Sequence, residues 1–231
     1  MSLIVLEGLD GSGKGTQTRM LAQQLRACGV PVRTITFPNY DSPSSALVKM
    51  YLSGAFGKDA DSVNAYAASS FYAVDRFASF RMDWQQDYEA GTLILADRYV
   101  TSNMVFQMGK LPREDWENFA RWLDDFEYGK LGLPRPDAVL YCDMPIDVSQ
   151  QLLSARYQGD EQKKDIHEKD LAFLEQCRQG AMAACSWFHW QMIHCARDGH
   201  PRSVEEIHQE ICRLVQPFVS GVQLCDSNLN Q

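Results

Sequence analysis

No apolar run in this chain approaches the length needed to span a bilayer. The first, Leu3-Ile4-Val5-Leu6, stops at Glu7 and is too short even for the hydrophobic region of a secretory signal. Positive charge is scarce as well. Twenty-two Lys and Arg stand against 30 Asp and Glu, a net charge of -8, and such a field repels polyanions, so neither a nucleic acid polymer nor an anionic membrane face is expected as a partner. The seven cysteines (28, 142, 177, 185, 195, 212, 225) are odd in number, include no C-x-x-C pair and lie mostly in apolar stretches. They read as reduced core thiols of a cytoplasmic protein. The histidines at 167, 189, 194, 200 and 208 form no H-E-x-x-H or Cys/His set, which argues against zinc. No repeat, low-complexity tract or linker divides the 231 residues, and 45% apolar with 23% charged residues is ordinary globular composition. One domain over 1–231 is expected.

What the chain does have is alternation. Residues 3–6, 32–37, 92–96, 138–142 and 191–195 are aliphatic or β-branched and read as strands. Residues 16–27, 45–52 and 64–88 read as helices, as do a stretch carrying Trp116, Phe119, Ala120, Leu123 and Phe126 and another carrying Leu171, Leu174, Cys177, Ala181 and Cys185. Ser203 and Glu206 form a capping box ahead of Val204, Ile207, Ile211 and Leu214. This pattern predicts an α/β fold of three layers, a five-stranded parallel sheet with helices on both faces, its ligands bound along the rim of strand C-termini. Residues 219–231 lose periodicity and are expected to form a loose tail.

Gly8-Leu9-Asp10-Gly11-Ser12-Gly13-Lys14 fits G-x-x-x-x-G-K between a buried strand and a helix start. In such a loop backbone N-H groups cradle phosphate oxygens, the helix N-terminus adds its positive end, and the lysine reaches the β and γ phosphates. The whole stretch from Gly8 through Gly15 and Thr16 is therefore the expected ATP site. The Ser or Thr that usually follows the lysine and ligates magnesium is here Gly15. Either Thr16 substitutes, or Mg2+ is held mainly by phosphates and water. Asp10 is unexpected inside an anion cradle and must have another partner. No N-K-x-D guanine motif is present and the third strand ends in Asp97-Arg98-Tyr99 rather than D-x-x-G, which argues against a GTPase switch.

Five ordered segments, Leu6-Glu7-Gly8-Leu9-Asp10, Phe37-Pro38-Asn39-Tyr40, Phe71-Tyr72-Ala73-Val74-Asp75-Arg76, Asp97-Arg98-Tyr99-Val100-Thr101-Ser102-Asn103 and Leu140-Tyr141-Cys142-Asp143-Met144-Pro145, resemble the motifs of thymidylate kinases, P-loop nucleoside monophosphate kinases. The resemblance runs from the start of the chain to about residue 170. It implies transfer of the ATP γ-phosphoryl group to dTMP, with magnesium, on a P-loop fold with a mobile lid, here 154–170. By the same resemblance Tyr72 stacks on the base, Arg76 reads it, Ser102 and Asn103 meet its edge, and Phe106 lies near the sugar, although a plain core phenylalanine fits Phe106 equally well. Phe37, Tyr40 and Asp97 fall among the acceptor residues, Asp10 would contact the sugar 3'-hydroxyl, and Glu168 would orient magnesium through water. Arg98 is placed to grip the acceptor phosphate. Some family members carry an arginine in the phosphate loop where this chain has Gly11, so the catalytic cation must come from the lid. Arg156 is the first choice because a guanidinium matches phosphate oxygens bidentately, with Lys163 and Lys164 as alternatives.

The helix over 64–88 carries more apolar residues than one face holds, among them Tyr66, Phe71, Val74, Phe77, Phe80 and Trp84. A homodimer, which the resemblance also implies, would bury the second face. Two rival functions remain open. A kinase for another nucleoside monophosphate or a deoxynucleoside is one, since Gly15-Thr16-Gln17 also resembles adenylate kinases. The other is a nucleotide-binding regulatory paralogue with little turnover, against which the intact Lys14 and Arg98 speak.

Overall fold

The computed structural model describes residues 2–160 and 170–224. Five parallel strands, β1 (Ser2–Glu7), β2 (Val32–Thr36), β3 (Leu93–Asp97), β4 (Ala138–Asp143) and β5 (Gln191–His194), form one sheet in the order β2-β3-β1-β4-β5. The central strand pairs on both sides, Leu6 opposite Asp97 and Leu140. Because successive side chains alternate across a strand, β1 feeds two cores at once. Leu3 and Val5 join Ile94, Ala96, Val139 and Tyr141 on one face. Ile4 and Leu6 join Leu95, Leu140, Cys142 and Ile193 on the other.

The second face is covered by α1 (Lys14–Ala27) and α9 (Val204–Val215), whose capping box at Ser203 and Glu206 forms as the sequence predicts. The first is covered by α3 (Ala65–Ser79), α5 (Thr101–Met108), α6 (Trp116–Leu123) and α8 (Leu171–Phe188), while α2 (Ala46–Leu52) packs on α3. Side chains start two of these helices: Asn64 accepts from the Ala67 N-H at 2.9 Å and Asp170 from the Phe173 N-H at 2.9 Å.

Several expectations need correction. The helix over 64–88 is broken by a π-helical turn, Phe80–Trp84, before α4 (Gln85–Glu89). Phe80 and Trp84 pack into the protein's own core, so only Tyr66, Val74 and Phe77 of its surplus apolar residues are substantially exposed, with Phe71 half-buried. A second π-helical segment, Asp124–Lys130, extends α6. Helices α5 and α7 (Ile146–Arg156) and the small antiparallel pair β6 (Ala196–Arg197) and β7 (His200–Pro201) are additional. Ser154 and Arg156, expected in the lid, occupy the last turn of α7. Nor are residues 219–224 loose: Val219 and Leu224 are buried against the second core, and Gln216 ties Val222 O and Leu224 N at 2.8 Å each.

Candidate active site

The loop between β1 and α1 owes its shape to glycine. Gly8, Gly11 and Gly13 all have positive φ (155°, 80° and 84°), where side chains are strained. A Cβ on Gly11 would lie 2.6 Å from the Ser149 carbonyl oxygen on α7, so no arginine could stand there without displacing that helix. Gly13 caps α1 without any side-chain hydrogen bond, and while the Thr16 N-H turns back to Gly13 O at 3.0 Å, the Lys14 and Gly15 N-H groups stay open to an anion. Beside Gly15, a Cβ would meet Asp97 Oδ2 at 3.2 Å.

Two cavities flank this loop. One, of about 640 Å³, lies over Gly11, Ser12, Gly13 and Thr16 and reaches Leu152 on α7 and the segment Pro201, Arg202, Ser203, Val204 and Glu205. The other, of about 470 Å³, is lined by Phe37, Tyr40, Tyr72, Arg76, Asp97, Arg98, Ser102, Asn103, Phe106 and Gln107. Asp10, Lys14, Gly15 and Arg156 line both. A wider, open depression of about 750 Å³ lies at the opposite end of β2 and β3, where Arg33 pairs with Asp83 and Asp87; none of the phosphate-loop residues lines it.

At the junction charges are arranged in layers. Asp10 accepts from Arg98 Nη2 at 2.6 Å and Lys14 Nζ at 3.3 Å. Burial alone would raise its pKa, but Arg98 and Lys14 reverse this and hold the carboxyl well below the usual range. Burial likewise opposes the charge on Arg98, yet Asp10, Glu7 and Asp97 keep its pKa raised. Arg98 adopts the left-handed conformation, φ 69°, which turns it off the end of β3 with its guanidinium 4.9 Å from the centre of the Phe106 ring. Glu7, missed in the sequence, anchors this corner: it lies 3.7 Å from Arg98 and accepts from Thr101 and Ser102 hydroxyls at 2.8 Å each.

At the far end of the 470 Å³ cavity Arg76 is buried and donates through Nε and Nη2 to Glu127 at 2.7 and 2.6 Å. Burial would lower its pKa, and the Glu127 charge and hydrogen bonds raise it instead. Asn103 Nδ2 donates to Glu127 and to Ser69 O. Asp75 fastens the 39–44 loop over the cavity, accepting from Asn39 N at 2.8 Å and Ser44 Oγ at 2.6 Å. Gln107, one turn beyond Asn103, is buried with its amide oxygen unpartnered among the described residues.

The structure thus gathers every expected acceptor residue around one cavity and residues 10–16 of the expected ATP site around its neighbour, while Gly8 and Leu9, at the start of the loop, are buried and line neither. Glu168, Lys163 and Lys164 lie outside the described residues. Among the described residues no group of three or more His, Cys, Asp or Glu could hold a metal, and no helix is long and apolar enough to cross a membrane.

A phosphate loop at the switch of a parallel sheet, opening onto a second cavity across one lysine and two arginines, defines a P-loop kinase of the small-molecule class. The family model described as thymidylate kinase matches residues 6–211. Thymidylate kinase from Mycobacterium tuberculosis is 34% identical over 188 residues, covering 79% of this chain and 84% of that protein. The human thymidylate kinase is 28% identical over 215 residues (91% and 87%), and a probable thymidylate kinase of Pyrococcus abyssi 26% over 219 residues (95% and 98%). The chain belongs to the thymidylate kinase family.

Proposed function

We propose that this protein transfers the γ-phosphoryl group of ATP to dTMP, giving dTDP and ADP, across the junction of its two cavities. The observation that carries the reading is that Asp10, Lys14, Gly15 and Arg156 line both, so donor and acceptor phosphates placed in them meet at Lys14 and Arg156. An acceptor phosphate is already ionised at neutral pH and needs no general base; what opposes the reaction is anion repulsion, which these cations and Arg98 offset.

In the acceptor cavity, Tyr72 supplies a stacking face, and the N-H groups of Arg76 not spent on Glu127 and Tyr99 O can donate to a thymine carbonyl. Asn103, with both N-H groups committed, offers its amide oxygen to the ring N3-H. The Phe106 ring carries the Arg98 guanidinium and also restricts the sugar, which disfavours a ribose 2'-hydroxyl. Asp10 is oriented by Arg98 and Lys14, and its remaining lone pairs suit the 3'-hydroxyl. The donor cavity takes ATP over the loop.

Magnesium fits this arrangement. Asp97 Oδ1 is buried without a partner among the described residues, beside Gly15 where both cavities meet. One carboxylate with substrate phosphates and water is how this cation is usually held, with Thr16 as a further oxygen. Bound there, the ion would neutralise charge on the β and γ phosphates.

The acceptor assignment is tested by ADP release from ATP with dTMP, dUMP, UMP, AMP, GMP and thymidine as acceptors. The dTMP reaction is expected to have the highest kcat/KM, with UMP poor; equal rates with UMP or AMP would remove the thymidylate assignment. We further read the chain as one cytoplasmic domain that pairs with a second copy through α3, where Val74 and Phe77 are 50% and 39% exposed. Light scattering at micromolar concentration should give twice 26.2 kDa; a monomer would refute the dimer.

A further inference from the structure

Glu127 is a carboxylate with no access to water, held on the π-helical segment beyond α6. It accepts three hydrogen bonds, from Arg76 Nε at 2.7 Å, Arg76 Nη2 at 2.6 Å and Asn103 Nδ2 at 2.9 Å. An ionised carboxylate has only acceptors, so each of these neighbours must turn an N-H toward it. The second N-H of Asn103 donates to Ser69 O at 3.2 Å. The amide is therefore locked, and the group it has left is an acceptor. Arg76 spends a further N-H on Tyr99 O at 3.3 Å and has only donors left. Both residues line the acceptor cavity.

We infer that Glu127, by locking Asn103 as acceptor and Arg76 as donor, is the positioning residue that makes the cavity select a 4-keto pyrimidine over a 4-amino pyrimidine. The inference rests on reading this cavity as the nucleoside monophosphate site. A 4-keto ring presents an N3-H donor and an O4 acceptor, which match the locked pair. A 4-amino ring presents an N3 acceptor and N4-H donors, which set oxygen against lone pair and N-H against N-H. Sites built to hydrogen-bond one pattern reject the reverse strongly, because their buried groups are left unpaired. Arg76 alone would not select so sharply, since an amide free to rotate could present Nδ2 to the 4-amino ring. Glu127 removes that freedom.

The test is the ratio of kcat/KM for dTMP to that for dCMP, a quantity unaffected by the fraction of enzyme folded. In Glu127→Gln the new amide can donate toward Asn103 and release it to turn. The ratio should fall about tenfold or more, chiefly through a higher KM for dTMP, while the KM for ATP stays within about twofold. Glu127→Asp keeps the charge against Arg76, but a side chain one methylene shorter cannot span both partners, and its ratio should fall too; it serves where the glutamine variant does not fold. A ratio within about twofold of wild type in a folded variant overturns the inference even if both activities drop together. A wild-type enzyme that takes dCMP as well as dTMP overturns the reading of the cavity along with it.

Discussion

Replacing Arg156 with alanine is expected to lower kcat by about 10³-fold while the KM values for ATP and dTMP change only a few-fold. The guanidinium stands at the end of α7, one of four side chains or backbone positions shared by both cavities. Its place there follows from Gly11: with Ser149 and Leu153 of α7 packed against that glycine, the loop has no room for an arginine of its own, and the helix that excludes one brings Arg156 instead. A cation that touches the transferring group only as charge develops changes kcat more than binding. Arg156→Ala with a raised ATP KM and normal kcat would mean that the side chain holds the donor nucleotide. A near-normal kcat together with inactive Lys163→Ala or Lys164→Ala would assign the role to those lysines.

Arg76→Ala should injure the protein twice. Removing one partner of a buried ion pair leaves Glu127 charged and unmatched, at a cost of about 3–5 kcal/mol in stability, readable as a lower urea midpoint. The same change deletes the donor proposed for the base, so the KM for dTMP should rise about tenfold or more. If the midpoint falls and dTMP affinity does not, Arg76 is structural alone. If neither moves, the buried pair does not form.

Much of this was legible in one sequence for identifiable reasons. The strand, the glycines and Lys14 at the start announce themselves because each meets a separate demand, burial on two faces, positive φ and a cation at a helix start. Arg98, Tyr72 and Arg76 could be placed because they sit at a strand end or one helical turn apart. Helix α5 escaped notice because Thr101, Asn103, Met104, Val105, Phe106, Gln107 and Met108 are all buried; a helix with no solvated face has no amphipathic period to read. Helix α7 escaped for the opposite reason, its polar and apolar residues being poorly segregated. Nothing in the sequence links Glu127 to Arg76, 51 positions away, since it is the fold that brings these two long side chains together. Glu7 and Asp75 lie within the ordered motifs, yet their work, holding Thr101, Ser102 and the 39–44 loop, shows only in three dimensions. Residues 219–224 look aperiodic although Gln216 and Gln24 bind the backbone of Val222 and Leu224, since such bonds need no side-chain pattern.

Phosphoryl transfer from ATP in one cavity to dTMP in the other is tested most plainly by the identity of the products. With ATP, magnesium and dTMP, phosphorus NMR should show dTDP and ADP rising together, one for one, with no free phosphate. ADP appearing with inorganic phosphate and no dTDP, or thymidine converted to dTMP while dTMP itself is left untouched, would contradict it.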